Sequence, residues 1–461
     1  MKPAKPALLA NDAWRHELRA TFALAWPLII AQLAQIAFFT TDVVMMGWLG
    51  AEYLAAGTLA TSFFHPFIVL TFGILTAVSP LVAQAIGRRN FRQVRRATRQ
   101  GLWVALILSA MLIPFLWHIK AMLLLLGQNP EAADMAESYA HYAVWSYIPM
   151  LLFTVFRCFL SSHSNTSVIL WITLMGVAAN ALGNYALMFG NWGLPRMELE
   201  GAGITTTVVN FLMLGMIAYY VLKHHRRYRR YHLLGRFWRP DWSKFREIWR
   251  VGTPIGLMYM IEVGLFATAA ILMGWLGTDE LAAHAVALQC AAIAFMIPLG
   301  LSQATTVRVG MAFGQHNRPA IRIAGWVSVV VGIGFMCVTC LLFWLLPEHI
   351  IGLFLDPEKP ANQRPYRLAI GFLGVAALFQ LADGAQVVSA AALRGLNDTA
   401  MPMIIALLCY WGIGFPVAYY CGFILQLGGQ GIWYGLAAGL AFAAVVLCTR
   451  FALHERFLKL T

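Results

Sequence analysis

The sequence predicts an all-α membrane protein whose twelve transmembrane helices form two six-helix lobes, related by a pseudo-two-fold axis along the membrane normal. Three observations lead to this fold class. Hydrophobic residues make up 60% of the 461 residues and charged residues only 11%, whereas soluble proteins carry roughly 25% charged residues. Uncharged apolar stretches of membrane-spanning length recur along the whole chain. The two halves of the sequence also repeat each other in order.

Each predicted span is an apolar stretch near the length of about 20 residues that crosses a bilayer as a helix. The twelve predicted spans are 20–46, 54–80, 101–118, 138–160, 168–189, 203–222, 249–275, 282–307, 321–346, 367–393, 402–424 and 431–452. Their even number places both termini on one side of the membrane. The first 20 residues are polar and basic and lead into a full-length span, so no signal peptide is expected.

The basic residues are concentrated in short loops between spans, chiefly 87–100 and 223–250. Loops rich in Lys and Arg stay on the cytoplasmic side. We therefore expect both termini in the cytoplasm and the chain in the inner membrane of a bacterium. This placement accounts for the net charge of +13, and it excludes nucleic acid as the expected partner.

The second half of the chain repeats the first at a nearly constant shift. The segment 46–50 returns as 273–277, Pro27 matches Pro254 and Asn90 matches Asn317, all at a shift of 227. Six spans in each half give both halves the same orientation, as in transporters built from parallel repeats. The predicted division is an N-terminal lobe 1–222, a basic cytoplasmic linker 223–248 and a C-terminal lobe 249–461.

Three carboxylic acids lie inside predicted spans: Asp42 in span 1, Glu262 in span 7 and Asp383 in span 10. An ionisable side chain at mid-bilayer costs at least about 2.5 kcal/mol, so it is a functional candidate. A carboxyl group in low dielectric can take up and release a proton, and it can equally neutralise Na⁺ or an organic cation. The alternative is a carboxyl group paired within the bundle for structure alone.

A deep cationic partner for these acids is not expected. The arginines near span ends are predicted to extend to the cytoplasmic interface: Arg157, Arg308 and Arg394. The acids themselves do not follow the repeat. At the shift of 227 Asp42 falls on Ala269 and Glu262 on Gln35, and at the local shift of 233 Asp383 falls on Met150. Each lobe is therefore expected to carry its own site.

Span 5 carries Asn180 and Asn184 four residues apart, so both lie on one helix face. With Thr206 in span 6 they are expected to form a polar pocket around Asp42. The alternative is that these amides hydrogen-bond between helices for packing, as is common in membrane bundles.

Aromatic and flexible side chains share spans with the acids. The candidate lining of a substrate cavity is Phe38, Tyr259, Met260, Phe379 and Gln380. Carboxylates beside aromatic faces suit lipophilic cations, although any single aromatic can instead face lipid or fill the core. Phosphate-loop, serine-hydrolase and zinc-protease motifs are missing from the sequence. We therefore expect a secondary transporter driven by an ion gradient, with no cofactor.

Taken together, these residues resemble the multidrug and toxic compound extrusion (MATE) family, in its bacterial NorM-type branch. The resemblance covers nearly the whole chain. It rests on Asp42 followed by the turn at 46–50, Asn180 with Asn184-Tyr185, Pro254-Ile255-Gly256 leading to Glu262, the segment 306–310, Gln380 with Asp383, and the segment 392–395.

The resemblance implies two six-helix lobes around a V-shaped cavity. It also implies export of lipophilic cationic drugs in exchange for H⁺ or Na⁺ by alternating access, by a functional monomer in the lipid bilayer. The N-lobe acid of the family maps to Asp42, and the C-lobe ion site maps to Glu262 and Asp383. Phe379 stands where some members have tyrosine, and the lost hydroxyl removes one oxygen ligand for Na⁺, which favours H⁺.

Two other functions remain as alternatives. A lipid-linked precursor flippase of the same superfamily tends to have extra spans and a cavity rich in basic residues, whereas the deep charges here are acidic. A membrane-embedded enzyme needs catalytic residues clustered at one interface, whereas these acids are spread over spans 1, 7 and 10.

Overall fold

The computed structural model describes residues 10–224, 226–235, 237–239 and 241–457, which form α-helices joined by turns, with no β-strand among them. The helices of the first half are α1 Ala10–Leu49, α2 Ala51–Thr76, α3 Val78–Gly87, α4 Phe91–Trp117, α5 Ile119–Leu125, α6 Pro130–Ala143, α7 Tyr147–Ser162, α8 Ser167–Leu187, α9 Glu198–Tyr219 and α10 Arg226–Arg229. Those of the second half are α11 Trp242–Leu276, α12 Thr278–Gly314, α13 Arg318–Leu345, α14 Pro347–Gly352, α15 Gln363–Gly395, α16 Ala400–Cys409, α17 Phe415–Tyr419 and α18 Gly428–Phe457.

Within the described residues, twelve helical stretches are long and apolar enough to cross a membrane. They are Asp12–Leu49, Ala51–Gly87, Phe91–Trp117, Pro130–Ser162, Ser167–Leu187, Glu198–Lys223, Trp242–Leu276, Thr278–Gly314, Arg318–Leu345, Gln363–Gly395, Ala400–Ile424 and Gly428–Leu453. Each overlaps one predicted span, in order. The predicted all-α fold with twelve transmembrane helices is therefore confirmed.

The described helices group into two compact units. One comprises Met1–Ile29 with Leu257–Thr461, and the other comprises Ile30–Gly256. Helices α1 and α11 thus each contribute residues to both units. The chain passes from one unit to the other at two points, each three residues after a proline, Pro27 in α1 and Pro254 in α11. These two points are equivalent in the repeat. A proline inside a helix removes one backbone hydrogen bond. The predicted lobes follow chain order instead, and that division stays a prediction.

The repeat is visible in backbone conformation. Asn90 caps α4 by accepting a hydrogen bond from the backbone N–H of Gln93 at 3.1 Å, and Asn317 caps α13 in the same way, from Ala320 at 3.1 Å. Positive φ angles recur at matching positions of the two halves: Gly50 and Gly277, Arg89 and His316, Ser164 and Asn397, Glu198 and Gln426. Equivalent turns therefore end and begin equivalent helices.

Small residues allow the helices that carry the candidate sites to approach closely, as is usual in membrane bundles. In the Ile30–Gly256 unit, a Cβ at Gly183 of α8 would lie 2.6 Å from Cγ2 of Thr205 in α9. In the other unit, a Cβ at Gly435 of α18 would overlap the backbone of Ala418 in α17. The first contact sets α9 beside the helix of Asn180, and the second holds α18 against α17.

Gly435→Ala is therefore expected to lower the thermal stability of the purified protein, since overpacking a tight contact costs about 1–3 kcal/mol. The measurement is thermal unfolding in detergent followed by size-exclusion chromatography. Gly334→Ala is the matched control, because a Cβ at Gly334 meets no atom within 4 Å and alanine favours a helix over glycine. Equal melting temperatures for the two variants would contradict the packing described here.

The described part of the linker packs on its own unit. Trp103 donates from Nε1 to the carbonyl oxygen of Phe237 at 3.0 Å, and Arg96 donates from Nη2 to Oδ1 of Asp241 at 3.0 Å. The hydrogen bonds from Arg96 hold the pKa of Asp241 below its ordinary value. The described linker residues therefore hydrogen-bond to α4 and form part of the folded unit.

Candidate ion-coupling sites

The first candidate site surrounds Asp42, a buried residue in the last third of α1. Asn184 of α8 donates from Nδ2 to Oδ1 of Asp42 at 2.6 Å. Asn180 lies one turn earlier on α8 and faces the same carboxylate. Asn180 is fully buried, and Oδ1 of Asn184 is buried without a hydrogen-bond partner among the described residues. The spacing of four residues thus brings both amides to the acid.

Tyr139 of α6 also faces Asp42, and its hydroxyl lies beside Thr206. Thr206 therefore lies close to Tyr139, and its part in a pocket around Asp42 stays a prediction. Its neighbours bond elsewhere: Thr205 donates to the carbonyl of Gly201 at 2.8 Å, and Thr207 donates to the carbonyl of Tyr142 at 2.7 Å. Sequence reasoning misses Tyr139, because no spacing within one helix connects α6 with α1.

The second candidate site lies in the other unit, around Glu262 of α11 and Asp383 of α15. Asp383 is buried and Glu262 half-buried, and the two carboxyl groups interact electrostatically. Two interacting carboxylates repel each other when both are charged, so the arrangement favours a bound proton or cation. Asp383 Oδ1 is buried without a hydrogen-bond partner among the described residues. The sequence predicts both residues but not their proximity.

Two of the three arginines differ from the sequence prediction. Arg157 and Arg394 are 7% and 6% exposed, so the expectation that they extend to the interface is wrong. Arg157 donates from Nη2 to Oε1 of Gln32 at 2.5 Å, and the Arg394 guanidinium lies 5.5 Å from the ring centroid of Tyr259. Both are retained inside because the helix bundle supplies an amide oxygen or an aromatic face in place of water.

Arg394 also acts on Glu262, which corrects the expectation that no deep cation faces the acids. The charge of Glu262 is therefore partly compensated, whereas the charge acting on Asp383 is the like charge of Glu262. The third arginine, Arg308, is half-buried and donates from Nε to Oε1 of Glu17 at 2.7 Å.

The predicted cavity residues fall into two groups. Phe379 and Gln380 are buried, and Phe379 packs against Phe266 and Trp433 at centroid distances of 6.0 and 5.8 Å. Phe38, Tyr259 and Met260 are half-buried. The half-buried group remains available to a ligand, whereas Phe379 is part of the core. A substrate-lining role stays a prediction for all five.

The candidate cation ligands of this unit are carboxylate oxygens. No group of three or more His, Cys, Asp or Glu side chains converges within the ranges the structure describes. The pair Glu262 and Asp383 offers hard carboxylate oxygens, which suit an alkali cation rather than a transition metal.

The chain matches the sequence profile of the MatE family over residues 27–186 and 254–420. The two matches begin at Pro27 and Pro254, which are equivalent in the repeat. The chain is similar to "Probable multidrug resistance protein NorM" of Brucella suis biovar 1, with 42% identity over 98% of this chain and 96% of the relative. It is 44% identical to the protein of the same name from Mesorhizobium japonicum, over 97% of this chain and 96% of that relative.

The fold is similar to those of solved MATE transporters. The structure of a Vibrio cholerae MATE transporter aligns with a TM-score of 0.88 at 16% identity, covering 97% of this chain and 99% of that one. An outward-facing multidrug resistance MATE family transporter aligns with a TM-score of 0.87 at 20% identity, covering 99% of this chain and 100% of that one. These likenesses confirm the fold class. With the family profile matched over both halves and full-length relatives above 40% identity, the chain belongs to the MatE family of membrane transporters, in its NorM-type branch.

Proposed function

We propose that this transporter exports lipophilic cationic compounds in exchange for H⁺ or Na⁺, by alternating access. The observation that carries the proposal is a buried acid in each compact unit, Asp42 in one and Asp383 in the other, each with unpartnered polar atoms beside it. A buried acid that binds a cation from one side of the membrane and releases it to the other can couple ion entry to drug exit. The relatives named as multidrug resistance proteins support the choice of drugs as cargo.

The proposed membrane location follows from the distribution of charged loops. Loops rich in Lys and Arg support an inner-membrane location with both termini in the cytoplasm. The proposed functional unit is a single chain. Drug binding is assigned to half-buried aromatic and flexible side chains near the acids, Phe38, Tyr259 and Met260, since cations favour aromatic faces.

Expression in a bacterial strain that lacks its major efflux pumps is expected to raise the minimal inhibitory concentrations of ethidium-like and fluoroquinolone compounds. The physical reason is active removal of compound against its gradient. Resistance is measured beside an immunoblot of the membrane fraction. The doubly substituted chain, Asp42→Asn with Asp383→Asn, serves as the expression-matched control. Unchanged resistance at confirmed membrane expression would overturn drug export as the function.

A further inference from the structure

The first turns of α4 carry a row of arginines along one side of the helix. Arg92, Arg95, Arg96 and Arg99 follow each other at spacings of three, one and three residues, which places their side chains on one helix face. This row is named the arginine face of α4. Like charges at spacings of three and four residues destabilise a helix, so the arginine face requires negative charge beside it.

The chain supplies little negative charge to this face. The two arginine-rich loops contain two acids, Asp241 and Glu247. Asp241 accepts a hydrogen bond from Nη2 of Arg96 at 3.0 Å, and Glu247 forms an ion pair with Lys244. Both acids are therefore already engaged with a basic residue.

Arg92 and Arg95 have no such partner. Neither forms an ion pair within the part of the chain that the structure describes. Arg92 is exposed and Arg95 half-buried, and Nε of Arg95 is buried without a hydrogen-bond partner in the same part of the chain. Arg95 also repels the buried guanidinium group of Arg99. An anion bound at Arg92 and Arg95 therefore offsets a repulsion and satisfies a buried donor.

Tryptophan side chains surround the same end of α4. Trp103 lies one turn beyond the arginine face and stacks on Phe237 of the linker, with ring centroids 5.0 Å apart. Trp238 also contacts Trp103, at a centroid distance of 6.1 Å, and Trp238 and Trp242 are 82% and 65% exposed. The uncharged stretch of α4 begins directly after the arginine face. Because tryptophan is enriched where a membrane meets water, the arginine face is expected at the level of the lipid headgroups.

We propose that the arginine face of α4 binds the phosphate headgroup of an anionic phospholipid, held by Arg92 and Arg95 and flanked by Trp238 and Trp242. Basic clusters beside a transmembrane helix attract anionic lipids, and guanidinium groups bind phosphate oxygens through paired hydrogen bonds. A free phosphate ion lacks the acyl chains that the exposed tryptophans can contact, which favours a lipid. Since the linker hydrogen-bonds to the same helix, the bound lipid stabilises the linker on α4.

The test measures lipid binding by the purified full-length chain in detergent, with phosphatidylglycerol as the anionic probe and phosphatidylcholine as the neutral one. Bound lipid is quantified by native mass spectrometry, and the melting temperature is followed as each lipid is added. Phosphatidylglycerol is expected to bind more tightly and to raise the melting temperature more. Arg92→Gln with Arg95→Gln is expected to weaken phosphatidylglycerol binding about tenfold or more, with phosphatidylcholine binding unchanged.

Arg229→Gln with Arg230→Gln is the matched control, because these exposed arginines belong to the same linker and their loss removes the same charge. This variant is expected to keep the preference for phosphatidylglycerol. Equal losses in the two double variants would overturn the site, since they would indicate diffuse attraction to the whole basic surface. Equal binding of both lipids by the unsubstituted chain would also overturn it, as would an equal rise of the melting temperature with inorganic phosphate alone or with duplex DNA.

Two further measurements decide the question if the double variant of the arginine face does not fold. Arg92→Gln alone changes an exposed position and is expected to weaken phosphatidylglycerol binding severalfold. For the unsubstituted chain, about 1 M salt is expected to remove the preference between the lipids, because the Debye length then falls to about 3 Å. A preference that persists unchanged in both measurements would contradict recognition of the headgroup by these arginines.

Discussion

Asp383→Asn is expected to abolish coupled drug export while the protein stays folded in the membrane. The asparagine keeps the size of the side chain and one carbonyl oxygen but loses the negative charge that a cation or proton needs. A charged contact of this kind contributes about 3 kcal/mol, which corresponds to a rate lower by about a hundredfold. The measurement is ethidium efflux from loaded cells that express equal amounts of each variant.

Asp279→Asn provides the control for Asp383→Asn. Asp279 lies in the same unit at the start of α12, where its carboxylate pairs with Arg364 at 3.5 Å on the surface. A surface ion pair contributes little, about 0–1 kcal/mol, so efflux by this variant is expected to be unchanged. Full efflux by Asp383→Asn at normal expression would remove Asp383 from the coupling site.

Asp42→Asn is expected to have an effect of similar size in the other unit. Asn184 donates to Oδ1 of Asp42, and asparagine retains an oxygen there, so the local hydrogen bond survives and only the charge is lost. Export is expected to fall to the level of cells without the protein. The readouts are ethidium efflux and, for folding, monodisperse elution on size exclusion.

Asp134→Asn is the control in this unit, since Asp134 is an exposed acid of α6 that pairs with Lys120. This variant is expected to export at the full rate.

Export by the double variant, Asp42→Asn with Asp383→Asn, shows whether the two units act in one transport cycle. If each buried acid is needed once in every transport cycle, the double variant is no worse than either single variant. Partial losses of drug export in the two single variants that add up in the double variant would indicate two independent export routes instead.

The number, order and approximate limits of the spans could be predicted because hydropathy depends on composition alone. The repeat was also accessible, since matched residues such as Asn90 and Asn317 perform the same local task, capping a helix. The pair Asn180 and Asn184 could be placed on one helix face by spacing. These predictions rely on properties of single helices.

What the sequence could not predict depends on contacts between helices. Tyr139 reaches the surroundings of Asp42 from a helix far from that acid in sequence, and nothing in its local spacing distinguishes it from a packing residue. The burial of Arg157 and Arg394 was missed for the same reason, because their partners come from other helices. The changeover of α1 and α11 between units is likewise a property of packing.

Coupling between cation and drug is the central claim, and transport in proteoliposomes tests it most directly. Purified protein is reconstituted, a gradient of H⁺ or Na⁺ is imposed, and ethidium on each side is followed by fluorescence. Ethidium is expected to accumulate on the side with the higher ion concentration and to lose that accumulation when the gradient is collapsed. Neither Asp42→Asn nor Asp383→Asn is expected to show it. Accumulation that is independent of both ion gradients, or that persists in both variants, would contradict the account.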